Sequence, residues 1–216
     1  MFFALSQILA LPLAFSSVSF AAALPTTTSL RNIQRSIPRP WCDGLGGGAF
    51  DEQPNLSLAA YNTSLPNANS TGAPIVLGQA GAIAGAEFKV LSTYASYPYN
   101  DFPTFSLDEG ALVPKGAGIT VADTDVLVGG QLGFVVTNLN PPTPAQIYCA
   151  LASTDPMGGG TGLPVLAVHG DPDSFSLCRA GDDPLAQTNV VYQAQPNNTG
   201  YIYDSCYPVR LQIIPL

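Results

Sequence analysis

Histidine is almost missing from this 216-residue chain; His169 is the only one. Nucleophilic hydrolysis needs a serine or cysteine beside a base. Here that base would have to come from Val168-His169-Gly170-Asp171, at the end of an apolar run and next to a turn. A lone histidine in that setting reads as a turn residue, and the chain has no G-x-S-x-G motif. Cations are scarce as well, with seven Lys and Arg against 15 Asp and Glu. Three of the seven, Arg31, Arg35 and Arg39, fall in the acid-free segment 24–41. Beyond Cys42, four cations (Lys89, Lys115, Arg179, Arg210) face all 15 acids, a net charge of −11. Such a body lacks the cationic face that nucleic acid or an anionic membrane requires. It reads as a soluble extracellular surface kept apart by self-repulsion.

Dibasic sites are absent too, so the basic arm, taken as a propeptide, offers only Arg35-Ser36 and Arg39-Pro40 as boundaries. Long helical patterns are missing, because Gly and Pro supply 41 of 216 residues and interrupt nearly every 15-residue window. Close cysteine pairs are missing. Cys42, Cys149, Cys178 and Cys206 are far apart in sequence, and with a single histidine they do not give a zinc-binding pattern. An even cysteine count suits an oxidising compartment and allows three disulfide pairings.

What is present begins with a leader. Residues 1–23 carry no charged side chain; the run Phe2 to Phe15 is followed by small residues including Ala21 and Ala23. This layout predicts a secretory signal peptide cut before Leu24. Its apolar core is shorter than the roughly 20 residues of a membrane span, so no membrane association is expected once it is removed. Four N-x-Ser/Thr sequons follow, at Asn55, Asn62, Asn69 and Asn197, and mark candidate glycosylation sites.

Residues 24–73 read as an irregular, glycosylated arm, Pro-rich around Pro38 and Pro40 and then carrying Gly46-Gly47-Gly48. Residues 74–216 read as one all-β domain, an antiparallel sandwich or barrel. Apolar, β-rich runs recur near 87–94, 105–107, 111–113, 119–121, 126–137, 146–151, 163–168, 174–178, 189–194 and 209–214, with turn signals between them. Glycines 129, 130 and 133 inside the 126–137 run suggest a bulge or a close backbone approach.

Few residues are candidates for chemistry. Asp171, Asp173, Asp182 and Asp183 could supply a carboxylate pair for glycoside hydrolysis or a calcium site. Their Gly-Asp-Pro-Asp and Gly-Asp-Asp-Pro contexts read instead as turn caps. Gly158 to Gly162 lacks the Gly-Lys-Ser/Thr of a phosphate loop and reads as a hairpin loop. No catalytic residue, cofactor or metal site is predicted. The aromatic cluster Tyr94, Tyr97, Tyr99 and Phe102 is the exception, since exposed tyrosines stack on sugar rings or on a protein partner. Tyr201 and Tyr203 form a smaller pair around Ile202.

The stretch 105–216 resembles the C-terminal domain of PIR-type fungal cell-wall mannoproteins and related secreted wall proteins. The resemblance rests on Phe105-Ser106-Leu107-Asp108-Glu109-Gly110-Ala111-Leu112, Gln131-Leu132-Gly133-Phe134 and Pro141-Pro142 before Ala145-Gln146-Ile147-Tyr148. It continues in Gly170 to Cys178, Tyr192, and Cys206 just before Val209-Arg210-Leu211. The glutamine-containing repeats that anchor those proteins to β-glucan are absent. The resemblance implies a secreted, non-enzymatic wall or matrix protein whose partners are cell-wall polysaccharide or wall proteins. A lectin-like module using Tyr94, Tyr97 and Tyr99 is the alternative. The resemblance also implies a Cys178–Cys206 disulfide, which leaves Cys42–Cys149 as the complement.

Overall fold

The computed structural model describes residues 39–116, 120–153 and 162–216. The expected leader, the arm before Arg39, and most of the Gly158–Gly162 loop lie outside the described residues. Among those described there is no α-helix; three 310 turns, Pro40–Cys42, Gly46–Gly48 and Tyr203–Ser205, accompany thirteen strands. These are β1 Ala49–Phe50, β2 Gln53–Asn62, β3 Ala73–Ile83, β4 Ala86–Thr93, β5 Thr104–Asp108, β6 Ala111–Lys115 and β7 Val121–Asp123. The rest are β8 Gly133–Thr137, β9 Tyr148–Leu151, β10 Val165–Val168, β11 Phe175–Arg179, β12 Thr188–Tyr192 and β13 Tyr207–Pro215.

The expected all-β architecture is a closed barrel. Six antiparallel strands run in the order β13-β11-β12-β4-β3-β2, and β2 returns to β13 to close the ring. Closure removes the open edges that a flat sheet would expose. The closing seam is long, pairing Leu56 through Asn62 with Pro215 through Val209. Inside, Leu58, Ala60, Leu77, Leu91, Phe175, Leu177, Val190, Val209, Leu211 and Ile213 belong to one buried cluster, so the barrel is a packed core.

Three long strands are shared between the barrel and extensions beyond it. β2 pairs with β3 through Leu58–Ala60 and with β5 nearer its start, adding the β5–β6 hairpin. β4 carries β8 and then β7 along Ala86–Val90. β13 pairs with β11 through Tyr207–Val209 and with β10 at Gln212, adding β9 and β1. All three extensions leave the same end of the barrel, which leaves the opposite end to loops.

Two disulfides are formed, Cys42–Cys149 with Cα atoms 5.4 Å apart and Cys178–Cys206 at 4.2 Å. Cys178–Cys206 is the pair the resemblance implied and Cys42–Cys149 its complement, and both Cα separations fall within the roughly 7 Å that a bridge allows.

The sequence-based boundary at residue 74 needs correction. Gln53–Asn62, expected as irregular arm, is a ten-residue strand at the barrel seam. Pro54 and Asn55 hid it, since both are poor strand formers. They sit between Gln53 and Leu56, where the register with β5 shifts, and Asn55 takes a left-handed φ of 47°. Past that irregularity Leu56, Leu58 and Ala60 alternate inward as a strand requires. The end of the expected irregular arm is pinned too. Arg39 makes a two-pronged contact with Glu109 (2.6 and 3.0 Å), and Trp41 Nε1 donates to Asp51 Oδ2 at 3.2 Å. The indole lies where a Cβ on Gly110 would come within 2.4 Å, so the β5–β6 turn needs glycine there.

The run 126–137 is a second correction, because only Gly133–Thr137 is a strand. Residues 127–130 form a tight turn docked on β12 through Gly129 N–Tyr192 O and Tyr192 N–Gly130 O, both 2.8 Å. Leu132 then bridges the two barrel strands, accepting from Leu91 N (3.1 Å) and donating to Val190 O (3.3 Å).

Candidate binding site at the barrel mouth

The loop end of the barrel holds an open groove of about 850 Å³. Five barrel strands end on it: Ala73 begins β3, Thr93 ends β4, Arg179 ends β11, Thr188 begins β12 and Tyr207 begins β13. Two loops complete the walls, one through Tyr97 and Tyr99, the other through Pro184 to Gln187. Barrel mouths are a recurrent place for ligands. The packed interior makes this one a shallow surface groove instead of a tunnel.

The tyrosine loop is fixed by short-range hydrogen bonds. Backbone N–H groups of Ser96 and Tyr97 both donate to Thr93 O at 3.1 Å, and Tyr99 N donates to Tyr97 O at 2.8 Å across Pro98. Ser96 Oγ accepts from Thr188 N at 2.9 Å and so ties the loop to the start of β12. The Tyr97 and Tyr99 ring centroids are 5.0 Å apart with planes tilted by 59°. Tyr99 is 62 % exposed, and Leu185, on the facing loop, 88 %. Rigid, exposed aromatics lose little entropy on binding.

The facing loop is turn-built. Asp183 Oδ1 accepts from Leu185 N at 2.7 Å, and Arg179 donates to the carbonyls of Asp182 (3.0 Å) and Asp183 (3.3 Å). Arg179 is thereby committed to holding the loop. Gln187 anchors it to β3: its side-chain oxygen accepts from Gln79 N at 2.9 Å, and its Nε2 donates to Gln79 O at 2.7 Å. Burial pushes the Tyr207 phenol above its ordinary pKa, so it is a neutral hydrogen-bonding group.

Of the three tyrosines expected to stack on a ligand, Tyr97 and Tyr99 line the groove and Tyr94 does not. Tyr94 is 45 % exposed, and its N–H bonds Pro74 O. Phe102 and Tyr201 are buried; the Tyr201 hydroxyl bonds the backbone of Gln195 on both sides, at 2.7 and 3.2 Å. Tyr203 borders a second, more polar depression of about 640 Å³ with Asp173, Gln193 and Asp204. Arg179, Leu185, Gln187 and Tyr207 were not singled out in the sequence. Only the exposed leucine inside an acidic turn, Asp183-Pro184-Leu185, offered a local hint.

The other candidates are structural. His169, at φ 52°, sits in the β10–β11 turn with Nε2 3.0 Å from Val126 O and 3.3 Å from Asp125. Asp171 Oδ1 caps Asp173 N at 2.9 Å. Burial opposes its ionisation, but hydrogen bonds from Ser174, Gln193 and the Asp173 amide prevail and hold its pKa below the ordinary carboxylate value. Asp173 pairs with Arg210 at 2.6 Å.

The sequons sit in differing surroundings. Asn69 Oδ1 accepts from Thr71 N and Oγ1 (both 3.0 Å) and Gly72 N (2.7 Å), and Asn62 Oδ1 accepts from Ser64 N (2.9 Å) and Leu65 N (2.8 Å). Asn55, Asn69 and Asn197 are exposed, and Asn62 is half-buried.

No protein-family model, curated protein or solved structure matches this chain.

Proposed function

We propose that this chain is a secreted, N-glycosylated, non-enzymatic protein of the fungal cell wall or extracellular matrix. Its role is to bind wall carbohydrate at the barrel mouth. The observation that carries the reading is the pair of adjacent, tilted tyrosines, Tyr97 and Tyr99, on the wall of an open groove. Aromatic faces stack on the apolar C–H faces of sugar rings. An open groove suits a polymer that passes through it. The acidic body favours neutral polysaccharide over acidic polymers. Arg179, the one cation lining the groove among the described residues, is already engaged with loop carbonyls. The two disulfides accord with an oxidising compartment, and the resemblance of residues 105–216 to secreted wall proteins points the same way.

A pull-down on purified neutral glucans and mannans and on isolated fungal walls tests this reading. The secreted protein should be retained and released without alkali, and Tyr97→Ala with Tyr99→Ala should weaken retention by about tenfold or more, as for an interface anchor. Equal retention of wild type and variant on every polymer would exclude the groove.

A further inference from the structure

A constellation away from the mouth has a chemistry of its own. Lys89, in the middle of β4, has a side chain only 7 % exposed, an uncommon place for an ammonium group. Directly across the β3–β4 ladder stands Gln79, and Lys89 Nζ lies 2.7 Å from Gln79 Oε1. Nζ is also 3.0 Å from Glu87 Oε2. On the other side Lys89 is paired with Phe134 of β8, so the amine is enclosed in the centre of a three-stranded run. Gln79 is itself held in place. Its backbone N–H and C=O are both clamped by the Gln187 side chain, and its Nε2 donates to Gly81 O at 3.2 Å. A buried amine, a clamped carboxamide and the carboxylate of a half-exposed Glu87 therefore meet within hydrogen-bond distance. Holding reacting groups together in this way removes most of the entropic barrier to an intramolecular reaction.

We propose that Lys89 and Gln79 become joined by an isopeptide bond, with Glu87 as the proton carrier. Glu87 takes a proton from the Lys89 ammonium, and the freed Nζ lone pair attacks Gln79 Cδ. A Cδ–Nζ bond forms, Glu87 returns the first proton to Nε2, and the Cδ–Nε2 bond breaks to release ammonia. Nζ sheds its second proton through Glu87 to that ammonia, which leaves as ammonium, so Glu87 ends as it began and no oxidant or other co-reactant is consumed. The Gly81 carbonyl, already bonded to Nε2, steers the departing nitrogen. The product is a covalent rung between β3 and β4, suited to a protein exposed to harsh surroundings without the protection of a cell.

Mass spectrometry of the full secreted chain decides this, after reduction, glycan removal and trypsin digestion. Trypsin does not cut after an acylated lysine. The expected result is one peptide running through Lys89 to Lys115, about 17 Da lighter than its sequence requires, from the loss of one ammonia. Glu87→Gln should restore cutting at Lys89 and the full mass while leaving the folded circular-dichroism spectrum unchanged. Natively folded wild-type protein that is cut at Lys89 and carries its full mass would overturn the proposal. Persistence of the linkage in Glu87→Gln would remove Glu87 from the reaction.

Discussion

The Asp123 carboxylate joins separate extensions of the barrel. It accepts Leu112 N of β6 through Oδ2 at 2.9 Å and Ala145 N, in the segment leading to β9, through Oδ1 at 3.0 Å. Burial, with 1 % of the residue exposed, raises its pKa from 3.8 to about 7; the two amide hydrogen bonds only partly offset the desolvation. The nearby Tyr148 phenol is likewise raised, by burial first and then by the charges of Asp123 and Asp125. The sign for stability follows from proton uptake. Between pH 3.8 and about 7 the folded state holds a proton on Asp123 that the unfolded state lacks, so raising the pH through this window destabilises the fold. Below the window both states are protonated, and above it both are ionised. Urea unfolding at a series of pH values should show stability falling by on the order of a few kcal/mol between acid and neutral pH. In Asp123→Asn that portion of the slope should vanish; an unchanged slope would show that another group controls it.

The β3–β4–β12 region is where single strands depend most on polar side chains. β12 meets β4 at one residue pair, Asn189–Ser92, reinforced by a 2.6 Å bond from Ser92 Oγ to Asn189 Oδ1. Gln187 bridges the same place, and it fits only because residue 78 is glycine. A Cβ there would lie 2.1 Å from both Gln187 Oε1 and Ser92 Oγ. Gly78→Ala should therefore lower stability by about 1–3 kcal/mol, read as a shift in the urea midpoint. It should also loosen the 180–187 loop, read as faster amide exchange there. The Cys178–Cys206 bridge staples β11 to the turn before β13 across 28 residues of sequence. Replacing both cysteines by serine should cost about 2–5 kcal/mol, measured by calorimetry under non-reducing conditions.

Elements with β-branched or aromatic residues in alternation were legible from sequence, as with Phe105-Ser106-Leu107 of β5 and the apolar Val165–Val168 of β10. β2 was not, because Pro54 and Asn55 mask a strand whose support comes from β13, about 150 residues away in sequence. The 126–137 run misled in the opposite sense. Its apolar residues include Leu127 and Val128, which stand on an exposed turn.

At the scale of the whole molecule, closure of the barrel creates the candidate site. Tyr97 and Tyr99 were visible as an aromatic cluster, but Arg179, Leu185, Gln187 and Tyr207 come beside them only because β4, β11, β12 and β13 end at one mouth. Such long-range juxtaposition leaves no local pattern in a sequence. The asymmetry of the barrel also matters, since all three strand extensions occupy one end and leave the loop end uncovered. The most direct test is backbone NMR of the folded protein titrated with soluble neutral glucan and mannan oligosaccharides. The account predicts chemical-shift changes centred on Tyr97, Tyr99, Leu185 and Gln187, abolished in the Tyr97→Ala, Tyr99→Ala double variant. Shifts confined to the β5–β6 and β7–β8 extensions, or no shifts with any oligosaccharide, would contradict it.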